Sequence, residues 1–184
     1  MKRARREAPS RGATNPTALQ QTLLVLLRMG IGWHFLYEGY VKLINPAWTA
    51  RPYLESAFGP AGGVFHALAA NPQAVKVVDF LNSWGLAAAG LGLMVGALTQ
   101  IAGLGAALLL VLYYISHPSW ITVPPMPAEG SYLLIDKTIV ELLAVLTVVV
   151  FRTGRFAGLD ALWYAWRGRR KARSGRAAPA AAEE

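Results

Sequence analysis

No cysteine occurs in the 184 residues. Thiolate nucleophiles, disulfides, iron–sulfur ligation and thioether-linked haem are therefore excluded from this chain. The absence says nothing about compartment, because a chain without Cys has no redox preference to read. Acidic residues are scarce as well, with 10 Asp and Glu against 18 Lys and Arg and a net charge of +8. Such a balance can indicate nucleic-acid binding, but the placement of the charges argues against it. Lys2, Arg3, Arg5, Arg6 and Arg11 precede the first apolar run. Arg152, Arg155, Arg167, Arg169, Arg170, Lys171, Arg173 and Arg176 follow the last, and no Lys or Arg lies between His117 and Asp136.

Hydrophobic residues make up 54% of the chain and gather into long runs, such as those starting at Ile101 and Thr138. A hydrocarbon core of about 30 Å needs about 20 apolar residues in helical form. Four stretches qualify, roughly 19–42, 75–98, 100–117 and 132–151. The expected fold is an all-α membrane protein, a four-transmembrane-helix bundle in the cell (inner) membrane. Basic residues concentrated at both ends place both termini in the cytoplasm, which agrees with an even number of spans. A cleaved signal peptide is the rival reading of the first stretch. It is disfavoured because the run continues through Trp33, His34, Tyr37, Glu38 and Lys42 with no small-residue cleavage site.

Residues 1–17 read as a disordered basic cytoplasmic tail, 18–155 as the transmembrane domain, 156–172 as an interfacial amphipathic helix and 173–184 as a disordered tail. Residues 43–72 form an outer loop too apolar to be simply solvated, and two short helices at the interface fit its pattern. Spans two and three form an antiparallel hairpin joined near Ala97–Ile101. Glycines at 85, 90, 92, 96, 103 and 105 suit close helix crossing.

Ionisable residues inside spans are costly, and they usually face the bundle and mark function. At about 1.5 Å per residue, Arg28 and Glu141 each lie about 13 Å into their spans. Matching depth predicts an ion pair, read either as a clamp between helices one and four or as a redox or proton element. A second group gathers near the outer side. His34, Glu38 and Lys42 are spaced i, i+4, i+8 on one stripe. Arg28, Gly32, Phe35, Gly39 and Lys42 make a neighbouring one. Lys76, Asp79 and Asn82, then Tyr113, Tyr114 and His117, then Tyr132, Asp136 and Lys137, arrive at that level from the other spans. Acid–base groups beside aromatics at a membrane boundary suit a quinone headgroup. Interfacial anchoring and snorkelling are the plain alternative. No metal set is evident: His34 and Glu38 lack a third ligand.

The motif Arg28, Gly32, Trp33, Phe35, Leu36, Glu38, Gly39, Lys42 resembles the DoxX/DoxD membrane protein family. So do the segments "NPAW", "NPQAVKVVDFLNSWGL", "LGLMVGALTQIAG", "EGSYLLIDKTIVE" and "TGRFAGLD", more closely in the manner of the DoxD branch. The resemblance covers about residues 20–162. It departs from the family pattern at Gln100 and Thr138. It implies a four-helix membrane fold and, through the best-known members, a subunit of thiosulfate:quinone oxidoreductase. On this reading quinone is a substrate rather than a covalently bound group, and membrane lipid and a partner subunit are the other partners. His34, Glu38, Asp79 and Asp136 are the candidate catalytic residues. Arg28, Lys42, Lys137, Glu141, Trp48 and Tyr53 are the candidates for holding quinone or substrate. A non-catalytic anchor or accessory subunit is the alternative. Solute transport is less favoured, because neither inverted repeats nor paired broken helices are visible.

The charge bias makes a direct prediction. Reporters fused before Met1 and after Glu184 should both score as cytoplasmic, and one inserted near Pro125 as external. An external C-terminus would overturn both the charge reading and the even span count.

Overall fold

The structure, a computed structural model, describes residues 16–121, 131, 132 and 134–176. The predicted tails therefore lie largely outside the described residues, as does most of the 117–130 loop. Among the described residues the chain is mainly helical, with seven α-helices and one two-stranded hairpin. α1 (Ala18–Ile44) starts at a capping box. Thr17 Oγ1 accepts from Gln20 N, and Gln20 Oε1 accepts from Thr17 N. The two short helices expected in 43–72 are α2 (Arg51–Glu55) and α3 (Gly62–Ala70). α4 (Pro72–Val95) begins where the Asn71 side chain accepts from Gln73 N and Ala74 N, with Pro72 in its first turn. It ends at Gly96 in the left-handed conformation, and α5 (Thr99–Ser116) follows at once.

The fourth predicted span needs a correction. Residues 131, 132 and 134–136 are not helical: Ser131–Tyr132 (β1) pairs antiparallel with Ile135–Asp136 (β2). α6 (Lys137–Val150) begins only where Asp136 Oδ1 accepts from Ile139 N. Its 14 residues span about 21 Å. α7 (Leu159–Arg176) follows a short 3-10 turn at Thr153–Arg155 and runs past residue 172. Two helices, α4 and α5, are long and apolar enough to cross a membrane, with mean hydropathies of 1.3 and 1.6.

The four longest helices before α7 close a ring: α1 packs on α4, α4 on α5, α5 on α6 and α6 on α1. Their shared core contains Phe35, Leu86, Leu93, Ala106, Leu110, Val145 and Val148. A smaller cluster, with Ala50, Leu54, Ala69 and Val75 at its centre, fixes α2 and α3 against the start of α4. α1 buries Arg28, Gly32, Phe35 and Gly39, the stripe that the spacing defines. Its crossing with α4 is close because glycines line it. A Cβ at Gly90 would strike the backbone of Leu36, and one at Gly32 would come within 2.8 Å of Met94 N. Not every glycine serves this purpose: a Cβ at Gly105 would meet nothing within 4 Å.

The end of the ring away from α2 and α3 is closed by polar bonds to backbone. Arg28 is 2% exposed, and its Nη1 donates to Thr153 O (3.2 Å) and Ala157 O (2.8 Å). Asp160 reaches back to the α4–α5 turn. Its Oδ1 accepts from Leu98 N (2.8 Å) and its Oδ2 from Thr99 N (2.9 Å), while Asp160 N donates to Gly96 O (2.8 Å). Burial pushes this carboxyl up, but the hydrogen bonds of Thr99 and Leu98 and the charge of Arg28 outweigh it. The carboxyl lies below its ordinary range.

Glycine packing gives a paired test. Gly90→Val should lower stability by about 2–3 kcal/mol through overpacking. Gly30→Ala, where a Cβ meets nothing within 4 Å, should leave it unchanged or raise it by about 0.5–1 kcal/mol. Unfolding midpoints of the purified protein in detergent check both. Equal effects from the two changes would mean that the α1–α4 crossing is not as close as described.

Candidate functional site

Three parts of the chain bring chemistry to the α2–α3 end. α1 supplies a stripe of ionisable groups, because i, i+4, i+8 spacing stacks His34, Glu38 and Lys42 on one face. α6 supplies its first turn, with Lys137, Thr138 and Glu141. The 43–72 segment folds over them. Between these parts and α4 and α5 lies a cavity of about 360 Å³. Its polar wall is made by His34, Glu38, Lys42, Lys137, Thr138 and Glu141. Its other walls come from Phe35, Leu86 and Leu110 in the core, from Trp48 and Tyr53 in the loop segment, and from Asn82 and Tyr113.

Four of these groups are paired, whereas Lys137 has no ion-pair partner among the described residues. Lys42 Nζ lies 2.6 Å from Glu38 Oε2 and 5.6 Å from the centre of the Trp48 ring. The Lys42 side chain is only 15% exposed, so it is directed into the protein rather than snorkelling outward. Across the helix interface, His34 Nε2 lies 3.4 Å from Glu141 Oε1. A cation–carboxylate pair and an imidazole–carboxylate pair thus sit on successive turns of one wall. Such pairs can exchange protons with a bound molecule.

The polar groups facing them are held in place. Asn82 Nδ2 donates to Tyr113 Oη at 2.8 Å, and Asn82 Oδ1 is buried without a partner among the described residues. Tyr53 Oη donates to Tyr113 O (3.3 Å) and shares a hydrogen bond with Ser116 Oγ (2.9 Å). The Tyr53 ring packs at 4.2 Å from the His117 ring, which touches Phe58 at 5.1 Å. Burial holds the Tyr53 phenol above its ordinary pKa, against the opposing effect of the Ser116 bond, so it stays a neutral donor.

Of the ten residues singled out from the sequence, seven line this cavity: His34, Glu38, Lys42, Trp48, Tyr53, Lys137 and Glu141. Three do not. Asp79 stands beside it, and its Oδ1 accepts from Ala50 N at 2.6 Å, tying the loop segment to α4. Asp136 caps α6. Arg28 lies at the opposite end of the ring. Its expected pairing with Glu141 does not occur. The expectation counted helical rise from Tyr132, whereas α6 starts at Lys137, so Glu141 is one turn from the α2–α3 end. Asn82, Tyr113 and Thr138 complete the cavity wall. The sequence put Asn82 and Tyr113 at this level but assigned them no role. The available signal was the i, i+3 spacing from Asp79 to Asn82, which turns both toward the same side of α4.

The new pairing is open to double-mutant cycles. Arg28→Met and Glu141→Gln should lose stability additively, within about 0.5 kcal/mol, because their sites share no partner. His34→Gln with Glu141→Gln should show a coupling of about 0.5–1 kcal/mol. Unfolding of the four variants of each cycle in detergent measures both. A coupling confined to Arg28 and Glu141 would reverse the assignment.

No family model, curated protein or solved structure matches the chain, and the chemistry of the cavity is read from its own residues.

Proposed function

We propose that the chain is a four-span protein of the inner membrane, of DoxX/DoxD type, with both termini in the cytoplasm. On this reading it is the membrane subunit of a quinone-linked oxidoreductase, with thiosulfate as the leading electron donor. The family assignment rests on the motif resemblance. The membrane assignment has physical support beyond α4 and α5. The 27 residues of α1 reach about 40 Å. Large apolar side chains lie exposed on the outward faces of all four helices, among them Leu23, Leu26, Leu81, Leu104, Leu108, Leu143 and Val150. Such a surface suits lipid better than water. The short α6 would cross with help from its flanking segments.

The observation that carries the functional reading is the convergence of five ionisable groups on one cavity with apolar and aromatic walls. A quinone ring needs an apolar wall, and its two carbonyl oxygens need donors. Phe35, Leu86, Leu110 and Trp48 suit the ring. Lys137, Lys42 and the Tyr113 hydroxyl suit the oxygens. Reduction to the quinol takes up two electrons and two protons. Oxidation of two thiosulfate ions to one tetrathionate releases two electrons. Electrons pass directly to quinone or through a cofactor of a partner subunit. His34 with Glu141, and Glu38 with Lys42, would deliver the protons.

The accessory-subunit reading has one observation in its favour. Arg28, Asp79 and Asp136, all polar candidates from the sequence, make hydrogen bonds to backbone groups. Quinone reduction by purified protein, with and without thiosulfate, separates the two readings. Glu38→Gln keeps the side-chain shape but removes its charge. It should lower the rate by at least about 100-fold while the protein stays folded in membranes. Full activity in both Glu38→Gln and His34→Ala would move the site elsewhere.

A further inference from the structure

A second cavity, of about 190 Å³, lies at the α7 end. It forms where the start of α5, the turn after α6 and the first turns of α7 meet. Gln100, Arg152, Arg155, Asp160 and Tyr164 line it. Its volume is that of several water molecules at about 30 Å³ each.

The two arginines are pre-set and uncommitted. Arg152 is held in the left-handed region (φ 48°, ψ 48°), a conformation that a residue with a Cβ adopts at a cost. Arg155 lies with its guanidinium over the Tyr164 ring at 5.1 Å from the centre. Neither has a carboxylate partner among the described residues, where the ion pairs are His34–Glu141 and Lys42–Glu38. Asp160 contributes the cavity's one acidic side chain. Both its oxygens already accept backbone N–H groups from Leu98 and Thr99. Gln100 is fixed by donating its amide to Val149 O at 2.9 Å. A wall with two unpaired guanidinium groups, one of them on a strained turn, is built to receive an anion.

We propose that this cavity binds a phosphate group through Arg152 and Arg155. Guanidinium forks match phosphate oxygens in pairs and keep their charge at any physiological pH. The surroundings favour a phospholipid headgroup as the source. α7 exposes Trp163, Tyr164 and Trp166 together with Arg167, Arg169 and Arg170, the composition of a helix lying on an anionic membrane face. An apolar groove of about 590 Å³ between α4 and α5 reaches the same turn at Leu98 and Leu159. The lipid source rests on the membrane reading above, whereas the phosphate site does not.

Native mass spectrometry of the full chain in detergent tests this, with phosphatidylglycerol, phosphatidylcholine and inorganic phosphate as separate probes. Wild-type protein should retain phosphatidylglycerol in preference to phosphatidylcholine. Arg152→Gly with Arg155→Gln should reduce that retention at least fivefold. Glycine adopts the left-handed turn freely, so the thermal midpoint of Arg152→Gly should not fall. Arg169→Gln with Arg170→Gln, outside the cavity, should change retention less than twofold. Inorganic phosphate binding that depends on Arg152 and Arg155, with no phosphatidylglycerol retention, would support the phosphate site and overturn the lipid source. No binding of either probe above the variant's level would overturn the site itself. So would equal loss in the Arg169 and Arg170 variant. Topology reporters decide the membrane reading independently, so the two failures are distinguishable.

Discussion

The close crossing of α1 on α4 is the constraint from which the rest of the arrangement follows. Gly32 and Gly39 on one helix and Gly90 on the other let the two backbones approach to a distance that a side chain would forbid. On the proposed membrane reading, lipid tails are as apolar as the side chains, and such packing has to supply the attraction that water supplies elsewhere. The crossing also fixes the rotation of α1 about its axis. With the glycine face turned to α4, Phe35 enters the core, and the neighbouring stripe of His34, Glu38 and Lys42 is turned toward the cavity and the start of α6. The cavity is in this sense a by-product of glycine placement. The polar residues fill a wall whose position the small residues determine.

Charge is divided between the two ends of the ring according to what it faces. At the α2–α3 end, the groups that border the cavity pair side chain to side chain, His34 with Glu141 and Glu38 with Lys42, while Asp79 and Asp136 behind them bind backbone N–H groups. At the α7 end, Asp160 accepts from N–H groups at the start of α5, which the helix leaves without intrahelical partners, and Arg28 donates to carbonyls of the segment between α6 and α7. The first arrangement leaves groups free to change protonation or partner. The second closes a joint. The same residue types thus serve two purposes, and exposure to a cavity distinguishes them better than charge does.

Much of this was legible in the sequence, for identifiable reasons. Helical periodicity alone put Arg28, Gly32, Phe35 and Gly39 on one face of α1. The apolar pattern of residues 43–72 pointed to the two short helices, α2 and α3. His34, Glu38, Lys42 and Lys137 could be gathered because a stripe on one helix and a residue at another helix's start need only local rules to locate, and Trp48 and Tyr53 because the loop segment was too apolar to be simply solvated. The partner of Arg28 could not be found that way. Hydrophobicity counts residues into a span, but it does not register that Ser131–Tyr132 and Ile135–Asp136 pair as strands, so the origin for measuring the depth of Glu141 was misplaced. Nor does composition reveal backbone carbonyls as acceptors, since every residue carries one. The guanidinium found its partners in a turn whose only sequence mark is the short Thr153-Gly154-Arg155 stretch.

The Arg28 joint has a bearing on the order in which the molecule is made. Its acceptors lie 125 and 129 residues downstream. A chain emerging from the ribosome, N-terminus first, completes α1 long before those carbonyls exist. Throughout that interval the guanidinium lacks both of its native acceptors. A nascent chain that stops before Thr153 keeps a cation where the finished protein has a sealed interior. That end of the ring can therefore close only once residues 153–157 have been made.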